Sequence, residues 1–154
     1  SNIGYNLKAT DLQASIGVAQ MEKLNDFITK RKYNWKKINK YICSRDNFFI
    51  PHQATENSDP SWFGYAITLR DNLAFKRDDL IKYLNENRID TRLMFGGNLI
   101  KQPAYKNKKY LVNNSLINAD KVMNDTFWIG VYPGITDEMI QYVEEKFDEF
   151  LSNY

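Results

Sequence analysis

The sequence predicts an α+β fold: a long N-terminal helix, then a three-stranded, mainly antiparallel sheet with helices packed on one face. Three observations carry this. Apolar residues recur at helical spacing from Leu12 to Ile42, Trp62 to Leu69 alternates at the period of a strand, and short helix and strand patterns take turns from there to the C-terminus.

Thr10-Asp11-Leu12-Gln13 has the form of a capping box, in which the Thr hydroxyl accepts from the third helical N–H and Gln13 reaches back. Behind it, Leu12, Ile16, Ala19, Leu24, Phe27, Ile28, Trp35, Ile38 and Ile42 describe one long amphipathic helix, or two with a bend, ending near Ser44. The other side carries Lys30, Arg31, Lys32, Lys36, Lys37 and Lys40, a solvated helix face in preference to a nucleic-acid stripe. Asn47 to Pro60, without periodicity, is a connection. In the strand that follows, Phe63, Tyr65, Ile67 and Leu69 point one way, and Trp62, Gly64, Ala66 and Thr68 the other. Leu80, Ile81 and Leu84 mark a short helix over Asp78 to Arg88. Thr91 to Phe95 is a short strand running into Gly96-Gly97-Asn98. Leu99 to Ser115 is a long polar connection of the kind that serves function or motion. A short helix over Asn118–Asp125 and a third strand over Thr126–Val131 come next, stopped by Pro133-Gly134. Thr136 caps the last helix, whose apolar face runs Met139, Ile140, Val143, Phe147, Phe150, Leu151.

The chain has 154 residues, 43% hydrophobic and 26% charged, enough for one core and a solvated surface. A net charge of +2 is too near neutral to make nucleic acid the main partner. One cysteine excludes an internal disulfide and any multi-thiolate metal or iron–sulfur site within these residues. No apolar run approaches the roughly 20 residues of a membrane helix, and the first residues lack the pattern of a leader. The expectation is a soluble, cytoplasmic domain with no membrane partner.

There is no Gly-rich phosphate loop and no paired-His metal motif. His52 lies in a connection without an orienting partner, which suits a surface or locally bonded side chain better than a base. Cys43, near a helix end, reads as a small buried hydrophobe before a nucleophile. No catalytic residue and no metal ligand is assigned within the chain. Two segments stand out. Asn6, in Gly4-Tyr5-Asn6 ahead of the capped helix, offers a short amide near a positive helix end, or simply a turn. Arg92, on a short strand before Gly-Gly-Asn, offers a fork for a diphosphate or carboxylate, or an ion pair at a sheet edge. Alone, these support a domain that contacts an anionic metabolite.

The run from Gly4 to Ala14, followed by Gly17 and Ala19-Gln20-Met21-Glu22-Lys23-Leu24, resembles the sugar aminotransferases and dehydrases, vitamin B6 enzymes of fold type I. Glu56 to Gly64, Thr91 to Leu99 with Gln102-Pro103, and Asn124 to Gly134 are similar to the CDP-4-dehydro-6-deoxyglucose 3-dehydrase branch, which serves 3,6-dideoxyhexose and lipopolysaccharide O-antigen biosynthesis. The resemblance covers nearly the whole chain.

It implies that residues 1–154 form the small C-terminal domain of a larger homodimeric enzyme, with a large cofactor-binding domain expected upstream of residue 1. The cofactor it implies is pyridoxamine 5'-phosphate or pyridoxal 5'-phosphate, with a histidine replacing the Schiff-base lysine in the dehydrases. The substrate it implies is a nucleotide-linked keto-deoxy sugar that loses its C3 hydroxyl. A reductase partner and an iron–sulfur cluster on upstream cysteines complete the expected reaction. Residue by residue, Asn6 matches the asparagine that reaches the cofactor phosphate of the neighbouring subunit, and Phe63 a dehydrase aromatic beside the cofactor pocket. Lys8 stands where aminotransferases usually have arginine, which favours the dehydrase branch. Arg92, Asn98 and Lys8 are the expected substrate contacts. The isolated chain is expected to be inactive. The alternatives are the same domain of a pyridoxal phosphate-dependent sugar aminotransferase, or a free-standing dimerisation or ligand-binding module.

Overall fold

In the computed structural model, which describes residues 8–154, the first helical stretch divides in two: α1, Asp11–Met21, and α2, Leu24–Cys43. Thr10 closes its capping box, its hydroxyl accepting from the Gln13 N–H at 3.3 Å while its own N–H donates to Gln13 Oε1 at 3.0 Å. The break falls at Glu22–Lys23, where the apolar spacing slips to five residues between Ala19 and Leu24. The slip separates two fates. α2 buries Asn34, Ile38, Tyr41 and Ile42, whereas α1 buries nothing and leaves Leu12 76% and Ile16 60% exposed. The amphipathic seam read from the sequence is therefore a core seam only along α2.

The sheet has four strands: β1 Phe49–Ile50, β2 Gly64–Leu69, β3 Thr91–Leu93 and β4 Thr126–Gly130, in the order β1-β2-β4-β3 with every pair antiparallel. The fourth strand corrects the expected count of three. Phe49 and Ile50 pair with Leu69 and Thr68 inside the stretch read as a connection. Two residues show no alternation, although Phe49 is completely buried.

Three further helices, α3 Arg77–Glu86, α4 Ile117–Asp125 and α5 Asp137–Leu151, complete the chain. Thr136 caps α5 as expected, accepting from the Met139 N–H at 3.3 Å. Tyr65, Ile67 and Leu69 of β2 join Phe127 and Ile129 of β4 in one core with Ile42, Leu80, Leu84 and Phe147. Phe147 meets the rings of Tyr41 and Phe49 edge-on, locking α5 to α2 and the sheet edge. Asp148 adds a polar clamp: it accepts from Tyr41 Oη at 2.7 Å and from two nitrogens of Arg45 at 2.9 Å. Burial, and then the Asp148 carboxylate, push the Tyr41 phenol far above its ordinary range, so it stays a donor. Buried Asn34 donates to the carbonyls of Tyr132 and Ile135, fixing the Pro133-Gly134 turn on α2.

Cys43 is exposed, not buried as its composition suggested. It follows Ile42, and one residue of helix turns the side chain about 100° away from the core. Three α2 lysines meet carboxylates: Lys30 with Asp26, Lys32 with Asp59 and Lys37 with Asp137. None of the described helices is long and apolar enough to cross a membrane.

Phe127, with no exposed surface, and Leu12 give opposite expectations. Phe127→Ala should cost about 3–5 kcal/mol in denaturant unfolding, whereas Leu12→Ala should change the stability of this chain by less than about 0.5 kcal/mol.

Candidate functional site

The antiparallel register sets Ala66, Trp128 and Arg92 in one row across β2, β4 and β3, so their side chains leave the same side of the sheet. It is the side opposite Tyr65 and Ile129, and none of the buried hydrophobic core lies on it. Gly64 allows the Trp128 ring to lie across the sheet: a Cβ on Gly64 would fall 2.5 Å from Trp128 Cε3. Phe63 meets that indole edge-on, with centroids 5.1 Å apart, and remains 60% exposed. The sequence pattern had aligned Phe63 with Tyr65. β2 begins at Gly64; Phe63, whose carbonyl still accepts from the Val131 N–H at 2.8 Å, lies at a bend, which breaks the alternation and turns its ring onto Trp128.

Trp62, Phe63, Trp128, Met94 and Phe95 wall a cavity of about 210 Å³ whose accessible surface is wholly apolar. Phe95 is 82% exposed and sits at φ 47°, a left-handed conformation that costs a bulky residue free energy. Behind the cavity, Trp62 stacks on Trp35 of α2, with centroids 4.7 Å apart and planes 11° from parallel. His52 stands edge-on to Trp62 at 4.7 Å, with Nδ1 buried and unpartnered among the described residues. Burial lowers the His52 pKa, so the ring is neutral at pH 7. Tyr65 closes the cluster, donating to Asn39 Oδ1 at 2.7 Å, its phenol pushed up to about 12 by burial.

Arg92 is exposed; its Nη1 donates to the Thr91 carbonyl at 3.4 Å, and it forms no ion pair among the described residues. The other expected contacts lie apart from it. Asn98 is 3% exposed, and its amide is committed to the loop: Oδ1 accepts from the Ile100 N–H and Nδ2 donates to Asp120 Oδ1 at 2.7 Å. Lys101, pairing with the same Asp120 at 2.7 Å, and then Asn98 hold that carboxyl below its usual range. Gly97 has φ +57°, and a Cβ there would come within 2.6 Å of Met123, so the close approach of the Gly-Gly turn is to α4. Gln102 pins the turn by donating to the Gly96 carbonyl at 2.6 Å. Lys8 is exposed ahead of α1, and Asn6 lies outside the described residues.

The structure thus brings Phe63 and Arg92 to one face, and adds Trp128, Trp62, Met94 and Phe95, which sequence reasoning did not single out. Their signal was the opposite half of each strand alternation: Trp62-Gly64-Ala66 on one strand and Thr126-Trp128-Gly130 on the other. A larger apolar groove, about 500 Å³, runs between Ile89, Ile129, Tyr132, Met139 and Val143, and contains none of the expected site residues.

Residues 1–148 match the DegT/DnrJ/EryC1/StrS aminotransferase family. Over 150 residues, 97% of this chain and 34% of the relative, the sequence is 49% identical to lipopolysaccharide biosynthesis protein RfbH of Salmonella typhimurium. It is 44% identical to dTDP-4-dehydro-2,6-dideoxy-D-glucose 3-dehydratase of Saccharopolyspora spinosa, covering 99% of this chain and 33% of that protein. Among solved structures, GDP-4-keto-6-deoxymannose-3-dehydratase with a trapped PLP-glutamate geminal diamine superposes with a TM-score of 0.81 at 26% identity, covering 94% of this chain and 37% of that one. The same enzyme's H188N mutant with bound GDP-perosamine gives a TM-score of 0.82 at 25% identity, covering 94% of this chain and 37% of that one. The chain therefore spans about a third of the length of these relatives.

Two outcomes follow from the aromatic cluster. Because the folded pKa of His52 is depressed, the unfolded state takes up its proton first; the stability this group contributes is complete above pH 6.5 and lost as pH falls below it. Unfolding curves of His52→Gln should accordingly lose part of the stability slope seen in wild type between about pH 5 and 6.5. Gly64→Ala should displace the Trp128 indole, which a shifted Trp128 Nε1–H resonance in a folded protein would register.

Proposed function

The chain belongs to the DegT/DnrJ/EryC1/StrS aminotransferase family, and from that membership we propose that residues 1–154 are the substrate-facing C-terminal domain of a nucleotide-sugar C3 dehydrase. The observation that carries this reading is Arg92, an exposed guanidinium without a carboxylate partner among the described residues, in the same row as the half-buried Trp128 indole. An unpaired cation beside apolar surface suits a ligand with a diphosphate at one end and little hydrogen-bonding demand at the other. The two relatives above 40% identity support the sugar and the dehydration: one is a lipopolysaccharide biosynthesis protein and the other a 3-dehydratase of a dideoxy sugar nucleotide. The closest chemistry is taken to be C3 dehydration of CDP-4-dehydro-6-deoxyglucose, in 3,6-dideoxyhexose assembly.

The residues present fit the outer wall of a vitamin B6 cofactor site. Phe63 offers an exposed aromatic ring against which a pyridine ring can lie, and Asn6 supplies an amide for the phosphate of a neighbouring subunit in a homodimer. Bound as pyridoxamine 5'-phosphate, the cofactor supplies the electron sink that lets a C3 hydroxyl depart. The work of this chain is binding and exclusion. Arg92 holds the diphosphate; Phe63 and the aromatic wall keep water from the sugar; and Asn98, through Asp120 and Ile100, keeps the loop after Arg92 in place. A lone exposed cysteine cannot hold an iron–sulfur cluster, so on this proposal the cluster sits on cysteines outside this chain and the reductase is a separate partner protein.

On this reading the 154-residue chain is a partial site. In assays with pyridoxamine phosphate and CDP-4-dehydro-6-deoxyglucose it should give no turnover and no tight cofactor binding, while Arg92→Gln should weaken nucleotide-sugar binding by about tenfold. Robust turnover by the purified chain would overturn the proposal.

A further inference from the structure

We infer that Trp128 is a specificity residue for the missing sugar hydroxyl: its indole forms the floor of the cup that receives the C6 methyl group of a 6-deoxyhexose. The inference rests on the nucleotide-sugar reading and adds to it the residue that distinguishes a deoxygenated sugar from its parent.

The cup has the right chemistry for a methyl group and the wrong chemistry for a hydroxyl. Its walls are His52, Trp62, Phe63, Met94, Phe95 and Trp128; His52 Nδ1 is itself buried, so the surface that faces the 210 Å³ is apolar. A hydroxymethyl group entering it would give up water without gaining a partner, and that penalty falls on O6 alone. A methyl group loses nothing there and covers aromatic surface. The cup is also assembled at a cost. Phe95 is held at φ 47° with its ring 82% exposed, and Gly64 forgoes a side chain so that the indole can lie flat. Neither ring belongs to the buried core.

The spacing is also suitable. Trp128 and Arg92 are directly opposed on neighbouring strands, about 4.8 Å apart. In a hexopyranose the C1 substituent and C6 flank the ring oxygen. A diphosphate on C1 gripped by Arg92 therefore leaves C6 beside the indole. Charge selects the diphosphate end and absence of charge selects the methyl end, so the two contacts fix the direction in which the sugar lies.

The test compares a matched pair differing only at O6, CDP-6-deoxyglucose and CDP-glucose, with CDP as reference, each titrated into the 154-residue chain by saturation-transfer NMR. The C6 methyl protons should receive more saturation than the other sugar protons. The deoxy sugar should bind about tenfold tighter than its parent. Trp128→Ala should bring that ratio to within about twofold, leaving CDP affinity unchanged, while Trp128→Phe keeps most of it. Arg92→Gln should weaken all three ligands alike. Dispersion of the remaining indole N–H signals reports folding, and if Trp128→Ala does not fold, Gly64→Ala must show the same loss of selectivity. Equal affinities for the matched pair, or a ratio unmoved in a folded variant, overturn the inference while leaving the nucleotide-sugar reading intact. Failure of all three ligands to bind overturns both. Sedimentation showing self-association that Trp128→Ala abolishes would assign the cup to a second copy of the chain and overturn the inference as well.

Discussion

The register between β2 and β4 is the constraint on which the rest of the structure depends. Tyr65 opposite Ile129 and Ile67 opposite Phe127 place four apolar side chains under the helices. The same register places Ala66 opposite Trp128 and carries that row on to Arg92. A slip of one residue would exchange the two faces, sending Trp128 into the core and Ile129 to the open side. The core and the aromatic face are therefore set by one hydrogen-bonded ladder. The core residues enforce the register, and the residues between them inherit their positions.

That division explains what was legible in the sequence. Elements with strong periodicity were read nearly to the residue: Thr136 caps the last helix, and Trp62 to Leu69 contains β2. β1 was invisible because two residues carry no period, and Phe49 is committed to the core by a partner twenty residues away. The buried side was legible because hydrophobic burial writes itself into composition. The open side was only half legible. Arg92 was found from its place on a short strand before Gly-Gly-Asn and Phe63 by resemblance, whereas Trp128, Met94 and Phe95 come together only once three strands are in register. Asn98 shows the opposite limit. A short amide after two glycines suggests a ligand contact, yet here its atoms are engaged by Asp120 and Ile100.

The polar groups follow the same economy. On the helix side they are satisfied in pairs: Asp148 by Tyr41 and Arg45, and Asn34 by two carbonyls of the α5 approach. On α2, Lys30, Lys32 and Lys37 meet carboxylates, which offsets half of the six cations in the most basic stretch of the sequence. Arg92, in register with Trp128, is exposed and forms no ion pair among the described residues. Apolar surface is left over in one further place, the stripe of Leu12, Ile16, Val18 and Met21 along α1. An eleven-residue helix with no buried side chain gains nothing from packing, and helices this short are marginal by themselves in water.

Rigidity connects the core to the cup. Trp62 is at once a wall of the cavity and one half of the stack with Trp35, which rides on α2 beside the buried Asn34 and Ile38. The wall is held by the same helix that holds the core, and a site prepared before the ligand arrives loses less conformational freedom on binding. Selectivity in such a site requires no hydrogen bond to the distinguishing group. On the proposal above, a floor of indole and a wall of phenyl would favour a methyl group over a hydroxymethyl group provided that they cannot relax to admit water, and the Trp35 stack, with neutral His52 edge-on to Trp62, opposes that relaxation. Protonation of His52 would place a charge behind the wall without a partner for Nδ1. The acid sensitivity of the fold and the shape of the cup therefore share one cause: an aromatic cluster that is dry on the inside and open on one face.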